Sequence, residues 1–280
     1  MKKRTVTFIS LLLTFLYFTP AIAQEEEDKP IRPPFETTLL IDNQTTVNPY
    51  QGALGLEIQH RFSPISSISD LFGIYGSANT RMALSYGVTD KLMIGLGTTR
   101  NYKLQDLEWK YSILTQTRSG KIPVSVSYAG NMVIDARNNE VFGAEEDFKS
   151  IHRLSYMNQV IVSRKIGMLF SAQVAPTFIW MNAVEEGYNN LNFSVNTGLR
   201  AMVLGFHSII LEYEQPITQP EDADVYPNLA LGVEIGTSTH SFRVFAANYN
   251  AMVKNYNVVY NNNNPFDMDY QFGFNISINF

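Results

Sequence analysis

The sequence predicts an all-β fold: a closed antiparallel transmembrane β-barrel of about twelve strands, with short turns at one end and longer loops at the other. Three observations predict it. First, the closing residues alternate without exception, with Tyr270, Phe272, Phe274, Ile276, Ile278 and Phe280 on one parity and Gln271, Gly273, Asn275, Ser277 and Asn279 on the other. Side chains alternate across a strand, so this is one apolar and one polar face. Second, no window after residue 23 holds 18 consecutive apolar residues. A helical span is therefore unavailable, and a closed barrel is the other way to satisfy every backbone group in lipid. Third, the links between alternating segments are by turns short and mostly long, with 101–103 the short exception, as in membrane barrels.

The elements follow in order. Lys2, Lys3 and Arg4, the apolar run Phe8 to Phe18 and the small residues Ala21-Ile22-Ala23 form a secretory signal over residues 1–23, with cleavage expected before Gln24. Residues 24–50 are an N-terminal tail. Its charged, Pro-rich part (24–34) reads as a flexible leader. Phe35 to Tyr50, with the run Leu39-Leu40-Ile41, is apolar enough to seek cover, and is expected to pack in the periplasmic mouth as a plug segment. The barrel occupies residues 51–280, with strands expected at 51–62, 78–88, 91–100, 104–117, 121–134, 151–164, 167–180, 190–202, 207–215, 227–236, 239–248 and 269–280. Each is close to the length that a tilted membrane strand needs. Tight links such as Thr89-Asp90, Lys165-Ile166 and Thr237-Ser238 face long ones at 63–77, 135–150, 181–189, 216–226 and 249–268. The short-turn end is expected to face the periplasm of a Gram-negative bacterium, in its outer membrane.

Composition excludes several classes. The chain has no Cys, so disulfides and thiolate metal sites are absent. Removing residues 1–23 takes three positive charges from 21, leaving 18 against 26 acidic residues, net −8. That acidity argues against nucleic acid as a partner. No cofactor or metal is expected: the carboxylates of loop 135–150 lack calcium-loop spacing.

The apolar parity carries Leu54, Leu56, Ile58 and Phe62, then Met82, Leu84, Tyr86 and Val88, and later Leu229, Leu231, Val233 and Ile235. A secreted β-sandwich or a lipocalin-like barrel would show the same alternation inverted. The long uniform strands, the loop asymmetry and a second face richer in Ser and Asn than in Lys favour the membrane barrel. With the polar face inward, the lumen collects Glu57, Arg61, Arg81, Asp106, Glu108, Lys110, Arg153, Arg200, Glu212, Glu214, Glu234 and Arg243. Interspersed signs read either as ion pairs that rigidify the barrel or as a polar eyelet selecting small hydrophilic solutes. Gly55, Gly87, Gly95 and Gly97 share that parity, where they let the sheet bend or another backbone approach.

A lipid hydrolase needs a Ser near a His on one face. His60, His152, His207 and His240 sit near predicted strand ends on the lipid-facing parity, positions 62 and 154 are Phe and Leu, and no Gly-x-Ser-x-Gly elbow occurs. Catalytic residues are therefore not assigned.

The string Gly55-Leu56-Glu57-Ile58-Gln59-His60-Arg61-Phe62, with Asn79-Thr80-Arg81-Met82 and Tyr86-Gly87-Val88-Thr89-Asp90-Lys91-Leu92, resembles a family of Gram-negative outer-membrane β-barrels defined by a domain of unknown function. The likeness spans residues 35–280 and implies fold and compartment rather than activity. The expected function is a narrow passive channel or transporter for small polar solutes. The alternative is a non-conducting structural or accessory barrel that docks a protein partner. Expected contacts are outer-membrane lipids and the barrel-assembly machinery, through the closing strand that ends at Phe280.

Overall fold

The structure, a computed structural model, describes residues 28–65, 68–143, 146–205, 207–237, 239–267 and 269–280; the signal segment read at 1–23 lies outside them. Twelve strands form one closed antiparallel barrel: β1 (Leu54–Pro64), β2 (Asn79–Gly87), β3 (Leu92–Thr99), β4 (Leu104–Leu114), β5 (Ser125–Asp135), β6 (Leu154–Ile166), β7 (Phe170–Met181), β8 (Leu191–Leu204), β9 (His207–Pro216), β10 (Asn228–Gly236), β11 (His240–Ala247) and β12 (Gln271–Asn279). Each strand pairs with its neighbours in sequence, and β12 returns to β1 with Leu56 opposite Ile278 and Ile58 opposite Ile276. The Phe280 N–H donates to the Leu54 carbonyl at 2.9 Å, which completes that seam. Closure removes every unpaired strand edge, the condition for crossing lipid. Among the described residues no helix is long and apolar enough to cross a membrane.

The parity read from the sequence sorts the faces. Leu84, Leu96, Leu231 and Val244 point outward and are exposed, whereas Glu57, Gln59, Arg61, Asn275 and Arg243 point inward and are buried. The outer wall carries one internal repair: Gly130, opposite Trp109, leaves the space that the indole occupies. The short turns use local chemistry. Thr89 Oγ1 accepts the N–H groups of Lys91 and Leu92, and Gly167 and Gly205, at φ +62° and +56°, turn the chain after β6 and β8.

Two expectations change. The β4–β5 link is longer than read, because β4 stops at Leu114 and β5 starts at Ser125. Of the leader read as flexible, residues 29–31 lie on that link: Ile31 N–H donates to the Gln116 carbonyl and Arg118 N–H to the Lys29 carbonyl, with Pro30 bridged to Thr117. Unpaired backbone groups on a turn offer a short strand a partner, and the leader takes it.

The inward parity is also less polar than expected. Met93, Leu104, Val133, Ile161, Ile179, Ile210 and Phe245 all point inward and are buried. Ile161 packs on Ala129 and Ala175 of the wall itself, whereas Leu104, Val133, Ile179, Ile210 and Phe245 are covered by two inserted segments of the chain.

Candidate functional site: a lumen filled from both ends

From the short-turn end, residues 35–47 enter as a hairpin. Leu39 bridges Gln44, Leu40 N–H donates to the Asn43 carbonyl at 2.9 Å, and Thr45 N–H to the Thr38 carbonyl at 2.8 Å. The threonines tie its legs: Thr45 Oγ1 donates to the Thr37 carbonyl and Thr37 Oγ1 to the Leu39 carbonyl. Phe35, Leu40 and Ile41 pack on Ile210, Ala230, Phe245, Ala247 and Tyr249, which explains the apolar run. The hairpin reaches well beyond the mouth: its tip residue Asp42 meets Arg61, which pairs with Asn79 at the long-loop end of β2.

The tip is held by polar groups from several strands. Arg61 Nη2 lies 2.7 Å from both Asp42 carboxylate oxygens, and Gln59 Nε2 donates to Asp42 Oδ1 at 2.7 Å. Glu212 Oε2 accepts the backbone N–H groups of Ile41, Asp42 and Asn43 at 3.0, 3.1 and 3.2 Å. Arg243 Nη1 donates to the Leu39 carbonyl at 2.6 Å, and Asn275 Nδ2 to the Ile41 carbonyl at 2.6 Å. Lower down, Lys110 Nζ donates to Gln44 Oε1 at 2.8 Å and Arg200 Nη2 to Glu36 Oε1 at 3.1 Å. A tight turn exposes backbone donors and acceptors that water cannot reach here, so the wall must supply partners.

From the long-loop end, the segment after β11 folds inward and forms the short helix α1 (Lys254–Val259), all of whose residues are buried. Val253, Tyr256, Val258 and Val259 cover Leu104, Val133, Met157, Ile179 and Met181. Lys254 Nζ lies 2.6 Å from Glu214 Oε2 and 3.9 Å from Glu212 Oε1. Asn255 Nδ2 donates to Ser155 Oγ at 2.9 Å, and the Tyr256 hydroxyl to Asp135 Oδ2 at 3.0 Å. Burial alone would push the Lys254 ammonium down, but the Glu214 and Glu212 carboxylates outweigh it and hold the group above its ordinary value. Between hairpin and helix segment, a cavity of about 20 Å³ remains, bounded by Leu39, Asp42, Gln44, Met252, Val253 and Lys254 among others. That is room for about one water molecule.

The residues chosen from sequence parity fall into four groups. Arg81 bridges Asp106 and Glu108 at 2.5 Å each and donates to Gln59. Arg243 pairs with Glu57 at 2.6 Å, and Arg200 with Glu234 at 2.5 Å. Arg61, Lys110, Glu212 and Glu214 engage the two inserts. Arg153 departs from the reading: it lies in the turn Ser150–Arg153 before β6, at the rim, where Nη1 donates to the Asp135 carbonyl and Nη2 to Asn139. Strand β6 begins one residue later than this residue's phase requires, so the guanidinium ties a loop instead of lining the lumen.

Parity reasoning missed Asp42 and Lys254, because both lie outside the strands. It also missed the neutral amides Gln59, Gln159 and Asn275, whose residue types carry no formal charge to mark them. Of the glycines, Gly87 makes room for the incoming chain, since a Cβ there would overlap the Tyr50 carbonyl oxygen. Gly97 instead makes room for the Arg81–Asp106 pair, and Gly198, unremarked in the sequence, abuts Leu40 of the hairpin. The His60 ring stacks on Phe274 at 4.9 Å between centroids, and His152 Nδ1 accepts the Lys149 N–H. Among the described residues no cluster of three or more His, Asp or Glu is placed to hold a metal.

Comparison with known proteins places this barrel among outer-membrane barrels by fold. The NanC porin aligns with a TM-score of 0.50 at 8% identity, covering 81% of this chain and 98% of the porin. The KdgM porin aligns at 0.48 and 8% identity, covering 81% and 98%. The outer membrane phospholipase A from Escherichia coli aligns at 0.43 and 12% identity, covering 85% and 96%. No curated protein matches the chain by sequence. Residues 35–280, which run from the hairpin insert through β12, match one family as a unit, and the chain therefore belongs to the membrane-bound β-barrel domain family DUF5777.

Proposed function

We propose that the protein is an outer-membrane channel for small polar solutes that rests closed, its short-turn end in the periplasm and its lumen filled by a hairpin from one side and a loop from the other. The carrying observation is the chemistry of the wall behind the hairpin. Arg61, Lys110 and Arg243 have no solvent exposure in the filled barrel. Buried ion pairs are often no better than apolar packing of the same volume, so a permanently solid interior has little reason to keep them. A wall that is hydrated whenever the insert leaves does have a reason. The hairpin is a suitable moving part, because within residues 35–47 the wall holds it through side chains, while its two flanks rest on the barrel, residues 29–31 by backbone bonds to the β4–β5 link and residues 48–53 by the chain itself. The fold shared with a protein described as a porin is consistent with this reading.

The second reading is a non-conducting accessory barrel that docks a protein partner, favoured by the complete filling of the lumen. In either case the outer wall meets membrane lipid, and β12 is the strand offered to the barrel-assembly machinery. Single-channel recording in planar bilayers separates the two readings. The wild-type barrel is expected to stay mostly closed, and a variant lacking residues 35–47 to conduct, with Arg81→Glu in that background shifting selectivity toward cations. A deletion variant that also carries Lys254→Met, to release the loop from the other end, and that inserts fully yet passes no current would defeat the channel reading and leave the accessory one.

A further inference from the structure

At the long-loop end, the segment that carries α1 also forms one wall of a separate cavity of about 200 Å³, above the buried residues of the lumen. Its lining is of two kinds. Tyr102, Tyr256 and Tyr260 present rings, with centroids 5.0 Å apart between the first two and 5.7 Å between the last two. Asparagines make up the rest: the amides of Asn250 and Asn261 are bonded within the loops, to Asn101 and Gln271 and to Tyr226, Pro227 and Asn263, whereas that of Asn257 is not. Among the described residues, no charged side chain lines the cavity.

Asn257 is the informative member. It is 1% exposed, and its side-chain carbonyl and amide nitrogen both lack a hydrogen-bond partner among the described residues. Its backbone carbonyl is already used by Asn228 Nδ2 at 2.9 Å, so the residue is fixed in place while its amide stays unused. A buried amide that makes none of its bonds is costly, and in a native structure such a group calls for a ligand or an ordered solvent partner. Burial pushes the phenols of Tyr102, Tyr256 and Tyr260 up, so the rings remain neutral, with the Tyr256 hydroxyl given to Asp135.

Aromatic rings that are apolar in the middle and polar at the tip, beside the one unengaged amide, Asn257, match a ring with apolar C–H faces and an edge of hydroxyls. The absence of charge from the lining disfavours acids. The volume is below the roughly 300–1,000 Å³ of sites for drug-sized ligands, so one ring fits. We infer that the Tyr102–Tyr256–Tyr260 cavity with Asn257 at its floor is a binding site for one ring of a neutral saccharide. The site is built on the long-loop side of α1 and belongs to the closed barrel, and binding to that resting form is what the test reads.

The test is binding of the full chain, purified in detergent, to immobilised oligomers of glucose, galactose, mannose and N-acetylglucosamine, beside acidic uronate oligomers. Binding to neutral oligomers is expected, weakened about tenfold or more by Tyr260→Ala and by Asn257→Ala, and largely kept by Tyr260→Phe, which retains the ring. Should Asn257→Ala fail to fold, the exposed Asn262→Ala reports on the same rim and is expected to weaken binding as well. No binding to any neutral oligomer, preference for the uronates, or equal binding by Tyr260→Ala would overturn the assignment.

Discussion

Glu212 meets Lys254 of one insert while holding the other: Oε1 lies 3.9 Å from the lysine Nζ, and Oε2 accepts three backbone N–H groups from the hairpin tip. One carboxylate therefore joins the segment that fills the lumen from the short-turn end to the segment that fills it from the long-loop end. Removing the cation leaves Glu212 and Glu214 buried together without it. Lys254→Met is accordingly expected to release the loop carrying α1, so that residues 248–270 become sensitive to protease at neutral pH in an otherwise intact barrel. Unchanged resistance would show that apolar packing by Tyr256, Val258 and Val259 suffices.

The same contact carries a pH dependence of definite sign. The Lys254 ammonium is held above its ordinary value, so its contribution is complete below about pH 10.4, the usual lysine value, and is lost as pH rises through its raised value. The outer insert is expected to stay seated across the neutral range and to loosen only in strong alkali. Hydrogen exchange of residues 253–259, corrected for intrinsic rate, checks this. Loosening between pH 7 and 9 would contradict it.

Asp42 and Arg61, 2.7 Å apart with both side chains fully buried, make a second prediction. In a closed interior, removing one partner of such a pair costs about 3–5 kcal/mol. Here water can enter if the hairpin leaves, so Asp42→Leu should eject the hairpin and spare the barrel. Limited proteolysis is expected to cut residues 35–50 in Asp42→Leu but not in the wild type. The double variant Asp42→Leu with Arg61→Met should recover protection, since it replaces the pair by apolar volume. Barrel unfolding in Asp42→Leu, seen as loss of heat-modifiable migration, would mean the hairpin is integral to the wall.

Gly87 and Gly198 both border the hairpin segment, but against different atoms. A Cβ at Gly87 would strike backbone, the Tyr50 and Pro49 carbonyl oxygens, whereas one at Gly198 would come 2.8 Å from Leu40 Cδ2, the end of a side chain. Backbone cannot turn aside as a side chain can. Gly87→Ala is expected to destabilise by about 1–3 kcal/mol, the usual range for overpacking, and Gly198→Ala by less. Urea titration of folded protein in lipid vesicles ranks the two, and the reverse order would refute the argument.

The outward assignment is tested by depth. Leu231 sits mid-strand opposite Leu211 and Ala246, and Leu204 at the short-turn end of β8, both exposed. Leu231→Arg should cost about 2–4 kcal/mol and Leu204→Arg about 0–1, because the penalty falls toward the interface. Equal costs in vesicle folding assays would remove the membrane from the explanation.

Strand number, which residues face lipid, and which end carries the short turns were legible in the sequence by itself. Each is a local property: alternation is written along a strand, and turn chemistry such as Thr89-Asp90 lies between two strands. The filling of the lumen was not local. Asp42 meets Arg61 and Lys254 meets Glu214 only after the barrel closes, across pairings set by no neighbouring residue. The run Leu39-Leu40-Ile41 showed that residues 35–50 needed cover, yet not that their tip would reach Arg61. The Asn-rich stretch before β12 read only as a long polar link, and nothing in its spacing marked Tyr256 or Lys254 for burial. Those outcomes belong to the tertiary structure, because a closed wall removes water and forces every charge and backbone group inside it to find its partner there.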